Sequence, residues 1–218
     1  EISEEWQKKI RTAMVLLVGV GGLGSPIATY LVGAGIGRIG IIDDDVVDIT
    51  NLHRQVLYTE KEAGLPKVEC AKRRLQALNS EVEIDAYPYR LTKENAHELI
   101  SRYDIVVDGM DNFMTRYIVS DECKLQGKPY VYGAIRGLDG QVAVLCKGHT
   151  TYRSLLPDEE ATLSMPHPGK AVLGTTPAVV GSVEACQVLM LAAEFGEPLI
   201  DKLWTVDLST MMSYVIEM

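Results

Sequence analysis

Residues 14–25, MVLLVGVGGLGS, hold the first side chains and glycines whose spacing could do chemistry. Gly19, Gly21 and Gly24 stand at the G-x-G-x-x-G spacing of a phosphate-binding turn, with Gly22 among them. The first glycine permits a tight turn, and the second lets backbone approach a phosphate. The third lets a helix pack close on the preceding strand. An apolar run enters this turn, and Pro26 with the periodic residues 27–36 leaves it as a helix. Backbone N–H groups at such a helix start face an anion, aided by the helix dipole. Asp43 ends the next strand, where a carboxylate can reach ribose hydroxyls, and Asp44 and Asp45 follow it. Asp44 reads as a solvated acid.

Two more clusters follow strand ends. Asn51, Arg54 and Gln55 fall in a long polar stretch, and Lys67 opens the helix after it. A connection of that length inside a compact domain is usually functional. Arginine and lysine opposite a helix start can grip a polyphosphate, although either alone is more often a surface charge. Asp111 and Asn112 follow the apolar strand at 105–107. A carboxylate beside phosphates suits Mg²⁺, which takes one or two carboxylates plus substrate oxygens. The competing role for either residue is to cap the next helix.

The elements that must position these groups alternate. Strands are expected at 14–18, 38–43, 81–87, 104–108, 128–134 and 140–147, with helices at 4–11, 27–33, 66–78, 92–101, 112–126 and 177–195. This alternation predicts an α/β fold with a mostly parallel sheet and helices on both faces. The turn RGLDG joins two strands as a hairpin, so the sheet becomes mixed towards one edge, and a second hairpin, 203–207 with 211–216, ends the chain. Residues 151–176 are poorly patterned and are expected to be a mobile excursion.

The 218 residues suit one α/β domain with a sizeable core, and a 47% hydrophobic, 23% charged composition is that of a soluble globular protein. A net charge of −9 argues against nucleic acid or anionic lipid as the main partner. Apolar runs are interrupted before reaching the length of a membrane span, so no membrane association is expected. Residues 1–10 are charged and do not read as a secretory signal. Cys70, Cys123, Cys146 and Cys186 form no C-x-x-C pair, which fits reduced thiols in a cytoplasm. Cys186, mid-way along an apolar helix, reads as core.

The blocks GVGGLGSP, IIDDDVVDITNLHRQ, GLPKVECA, DGMDN and YGAIRGLDGQV occur in order and resemble the ThiF/MoeB/HesA family, over about residues 6–191. These enzymes are related to the adenylation domain of ubiquitin-activating enzymes. The resemblance implies a Rossmann-like fold and ATP-dependent adenylylation of the C-terminal glycine of a ubiquitin-like sulfur carrier protein ending in Gly-Gly, of ThiS or MoaD type. It implies that Gly19, Gly21, Gly22 and Gly24 frame the phosphates, and that Asp43, with Asp45 beside it, binds ribose. Asn51, Arg54 and Lys67 would contact phosphates with Gln55 nearby, and Asp111, next to Asn112, would position Mg²⁺. Arg54, Lys67 and Asp111 would carry the catalysis. A homodimer is implied, with helix 177–193 as a candidate interface. The poorly patterned stretch and final hairpin would receive the carrier.

The chain departs from the family in three places. Many relatives hold a structural zinc through two C-x-x-C pairs, but Thr151 and Ser154 occupy the first pair's positions, so no structural zinc is expected. Some relatives carry a cysteine where His167 aligns, and 151–176 contain none, so no covalent cysteine intermediate is expected. His167 reads as an exposed loop residue. The family often has an N-terminal arginine segment reaching a partner's site, which would align before residue 1; Arg11 is not expected to replace it. Two other functions compete. An NAD-dependent oxidoreductase would also use the glycine turn and Asp43, and a binding module would use the site with little catalysis.

Overall fold

The computed structural model describes residues 3–165 and 172–218. In chain order the elements are α1 (Glu4–Ile10), β1 (Met14–Val18), α2 (Gly24–Gly33), β2 (Arg38–Ile42), α3 (Lys67–Leu78), β3 (Glu83–Tyr87), α4 (Lys93–Ser101) and β4 (Ile105–Asp108). There follow α5 (Phe113–Gln126), β5 (Tyr130–Arg136), β6 (Asp139–Leu145), α6 (Tyr152–Leu155), α7 (Glu159–Leu163), α8 (Thr175–Ala193), β7 (Lys202–Asp207) and β8 (Met212–Glu217). The polar connection after β2 carries single 3₁₀ turns at Ile49–Asn51 and Glu60–Glu62.

The strand order is β3-β2-β1-β4-β5-β6-β7-β8. The first five strands run parallel, and β6, β7 and β8 add antiparallel. The expected α/β sheet with one mixed edge is therefore observed. Strand order reverses at β1, which lies between β2 and β4, and this opens a crevice at the carboxyl ends of the strands. Alternate side chains divide the core in two. Val15, Leu17, Ile39, Ile41, Val107 and Val131 pack with residues of α2, α3 and α8. Leu16, Val18, Ile42, Val106, Tyr130 and Tyr132 pack on the other face with α4, α5 and α6. Because both faces are covered, β1 reads as an unbroken apolar run instead of an alternation.

The stretch at 151–176 holds more structure than its pattern predicts. In α6, the N–H of Thr151 donates to Ser154 Oγ at 2.7 Å. In α7, Asp158 caps by accepting from the N–H of Ala161 at 2.9 Å. Tyr117 of α5 donates to the carbonyl of Leu156 at 2.7 Å, which fastens this segment to α5. Short capped helices carry too few residues for a visible apolar period. His167 lies outside the described residues.

Two expectations about α8 need correction. Cys186 is exposed, not core, because the helix covers β5 and β6 with one face and Cys186 falls on the other beside Val179 and Ser182. Of 19 residues with mean hydropathy 1.4, α8 is also long and apolar enough by composition to cross a membrane. Half of that length is instead buried against the protein.

The one charged residue of α8, Glu184, is fully buried, and neither carboxyl oxygen has a hydrogen-bond partner among the described residues. Its carboxyl rests against Gly133 of β5. Burial first, and then Asp108, pushes its pKa well above the ordinary range, so it is held neutral. Relative to an exposed glutamate, this group favours the fold fully below the unfolded pKa. That contribution is lost as pH rises towards the folded one. Glu184→Gln is therefore expected to raise Tm at pH 8, each ~1 kcal/mol being worth about 2–4 °C at this size. The gain should vanish near pH 4. A Tm difference independent of pH, read by calorimetry, would refute a buried neutral carboxyl.

Candidate functional site

A cleft of about 750 Å³ lies at the crevice, bounded by the glycine turn, the ends of β2 and β4, the loop after β3, and the tip of β5. Gly19 has φ +91°, and a Cβ there would stand 2.5 Å from the carbonyl oxygen of Gly109. A Cβ on Gly24 would stand 2.2 Å from the carbonyl oxygen of Gly19. The first and third glycines thus let turn, helix and β4 backbone come together, which a side chain would forbid. No side chain among the described residues caps the start of α2, whose N-cap residue Leu23 borders the cleft. Gly21 and Gly22 also line it.

Asp43 holds the turn in place. Its Oδ2 accepts from the N–H of Val20 and its Oδ1 from that of Asp45, both at 2.9 Å. Burial pushes its carboxyl upward, while Lys67 and these two amides oppose the shift. Each oxygen keeps a further lone pair for a donor in the cleft. Lys67 is not a surface charge. It is buried, and its ammonium meets Asp45 Oδ2 at 2.7 Å. Asp44 is not simply solvated, since Arg90 approaches it to 3.2 Å. Among the described residues, Asp43, Asp44 and Asp45 are the one carboxylate group close enough to share a metal ion. Each is already held by amides or a cation, so this cluster argues for no metal.

Arg54 bonds no carboxylate among the described residues: Nη2 donates to Asn51 Oδ1 at 2.9 Å, and Nη1 lies 2.7 Å from His53 Nε2. Gln55 is buried, and its Oε1 has no hydrogen-bond partner among the described residues although the residue lines the cleft. An orphaned acceptor there fits a ligand that brings a donor. Asn112 is the cap of α5, its Oδ1 accepting from the N–H of Thr115 at 2.9 Å, and its amide NH₂ is left to donate to a ligand. Asp111 is exposed, lines the cleft, and makes no hydrogen bond or ion pair among the described residues. An unengaged carboxylate in a cleft with arginines fits one Mg²⁺ ligand.

The structure adds groups that the sequence analysis missed. Asp108 of β4 and Arg116 of α5 form a buried pair, Nε to Oδ2 at 2.8 Å. Arg116 also donates to the carbonyls of Met110 and Gly133, while Asp108 accepts from the Tyr130 hydroxyl and the Met110 N–H. Burial pushes Asp108 upward, but Arg116 and these donors hold its charge in place, and Asp108 in turn raises Arg116. Tyr89, Arg90 and Arg136 line the cleft from the ends of β3 and β5. Their signal was their position after parallel strands. Arg11 lies at the amino ends of the strands, on the side away from the cleft, beside Gly35, Gly37 and Val82.

An open, doubly wound sheet of Rossmann-like type, with one polar cleft at its switch point, is what these elements define. The chain belongs to the ThiF family, whose profile matches residues 1–218. It is 48% identical over 208 residues to the sulfur carrier protein adenylyltransferase of Thermus thermophilus, covering 91% of this chain and 76% of that one. It is 42% identical to the adenylyltransferase and sulfurtransferase MOCS3 of Arabidopsis thaliana, covering 97% of this chain but only 46% of the relative. Among solved structures, E. coli MccB with ATP superposes with a TM-score of 0.84 at 26% identity, covering 98% of this chain and 66% of MccB.

Proposed function

We propose that this ThiF-family adenylyltransferase uses ATP to adenylylate the C-terminal glycine of a ubiquitin-like, ThiS- or MoaD-type sulfur carrier, releasing pyrophosphate. The carrier's carboxylate oxygen attacks the α-phosphorus and forms the new P–O bond. The bond from that phosphorus to the bridging oxygen of pyrophosphate breaks, and its electron pair leaves with the oxygen. No proton moves, so neither a general base nor a protein nucleophile is required. The protein's task is to align two anions and neutralise charge gathering on pyrophosphate.

The observation that carries this reading is how charge is distributed in the cleft. Lys67, Arg90 and Arg116 face acids, whereas among the described residues Arg54 meets no carboxylate and Asp111 bonds nothing. Arg54 and the start of α2 bind the triphosphate, with Asn51 and Gln55 beside it. Asp43, set by Asp45, binds ribose, and Lys67 adds positive potential from beneath. Asp111, with Asn112 nearby, would hold Mg²⁺, which when bound offsets charge on phosphate oxygens. A hydride-transfer site has no use for such a set.

The chain acts as one domain, in a cytoplasmic setting, as its unpaired thiols suggest. Acyl transfer to a cysteine is not part of the cycle. Burial raises the Cys70 and Cys123 thiols, and Cys186 does not line the cleft. No structural zinc is required where Thr151 and Ser154 bond each other. The outer face of α8, with Val179 exposed, serves a homodimer, and β8, exposed along its length, offers an unpaired edge to the carrier.

The test is ATP–pyrophosphate exchange by the wild-type protein, with and without a carrier ending in Gly-Gly. Exchange that requires the carrier is expected. Tight NAD binding without exchange would replace this reading with an oxidoreductase, and ATP binding without exchange would leave only a binding module.

A further inference from the structure

We propose that Arg136 binds the terminal carboxylate of the incoming carrier and sets it in line with the α-phosphate. This rests on the adenylylation reading. The cleft spans the carboxyl ends of five parallel strands, β3 to β5, at about 4.8 Å per strand. Asp43 at the end of β2 takes the ribose end of the nucleotide, and the glycine turn after β1 takes the phosphates. Asp111, after β4, lies one strand further. What remains beyond the phosphates is the end of β5, and the second substrate is an anion that must arrive from a side the nucleotide leaves open.

Arg136 is the last residue of β5 and lines the cleft there, next to Ile135. Its guanidinium makes no hydrogen bond or ion pair among the described residues, unlike the three other cleft cations that face acids. Its backbone is held firmly. Gly137, with φ +61°, turns the chain directly after it, and Thr176 Oγ1 donates to the Gly137 carbonyl at 2.9 Å. The N–H of Leu208 donates to the Leu138 carbonyl at 3.0 Å, fixing the other side of the hairpin tip. A charged fork on a pinned hairpin, with no internal partner, suits a planar carboxylate bound through two parallel hydrogen bonds. Arg54, two strands away and beside the turn, would then serve the leaving pyrophosphate. The two arginines that meet no carboxylate among the described residues thus divide the two anions between them.

The test compares wild type with Arg136→Gln and Arg136→Lys. It uses one ThiS-type carrier made in two forms, ending in Gly-Gly carboxylate or Gly-Gly carboxamide. Binding of each form is measured in the presence of α,β-methylene ATP, alongside the KM of carrier and of ATP in exchange. Arg136→Gln is expected to weaken carboxylate carrier binding 10- to 100-fold and to raise its KM similarly. Carboxamide carrier binding and the KM of ATP should stay within twofold of wild type. Arg136→Lys should recover part of the loss. Equal loss for both carrier forms would overturn the assignment, as would a changed KM for ATP alone or no effect at all. Wild type without carrier-dependent exchange would instead overturn the adenylylation reading beneath it.

Discussion

Asp111→Ala is expected to lower carrier-dependent ATP–pyrophosphate exchange about 100- to 1,000-fold, the usual cost of removing one group aimed at developing charge. Stability should hardly change. Asp111 is exposed and bonds nothing among the described residues, so its removal falls among surface substitutions worth within about 0.5 kcal/mol. The combination is diagnostic: a folded protein that binds carrier yet fails to exchange. Asp111→Asn keeps the shape but loses the charge, and should be nearly as impaired. In either variant the Mg²⁺ concentration for half-maximal exchange should rise. Wild-type exchange by Asp111→Ala would remove this carboxylate from the site.

Three residues earlier, the same side-chain type has the opposite consequence. Arg116→Ala is expected to destabilise the fold by about 3–5 kcal/mol, because it strands the Asp108 carboxylate in the interior. At about 2–4 °C per kcal/mol, Tm should fall by roughly 6–20 °C. Both partners are almost fully buried, so solvent screens little of this loss. Arg116 also holds the carbonyls of Met110 and Gly133, joining the end of β4 to β5 across the floor of the cleft. Asp108→Asn combined with Arg116→Met removes both charges, and should cost less than Arg116→Ala alone. Urea unfolding of the three variants checks this order. A loss below about 1 kcal/mol for Arg116→Ala would mean that the pair does not support the fold.

Much of the architecture was legible because its signals are local. The five-residue run before the glycine turn, the alternation of strands and helices, and the RGLDG hairpin each depend on near neighbours. Boundaries were less secure, and α6 and α7 were missed because a four- or five-residue helix held by caps has almost no apolar period. Cys186 was misassigned for a related reason. On a helix apolar nearly all round, sequence does not say which face meets the sheet.

By itself the sequence determined where chemistry would gather. Its glycine spacing, the acid ending β2, and the acids and bases following strand ends all fall on one edge of a parallel sheet. Only the tertiary structure decided which of those charges are spent. Lys67 is bound by Asp45, 22 residues away, and Arg90 by Asp44, 46 residues away. Arg116 is bound by Asp108 from the adjoining strand. The pairing of β3 with β2 carries Arg90 to Asp44, and a bridge between Val46 and Pro66 carries Lys67 to Asp45; no local pattern encodes either contact. Once the pairs are made, Arg54, Arg136 and Asp111 are left facing the cleft without an oppositely charged partner among the described residues, because electrostatic pairing follows distance in space and not position in the chain.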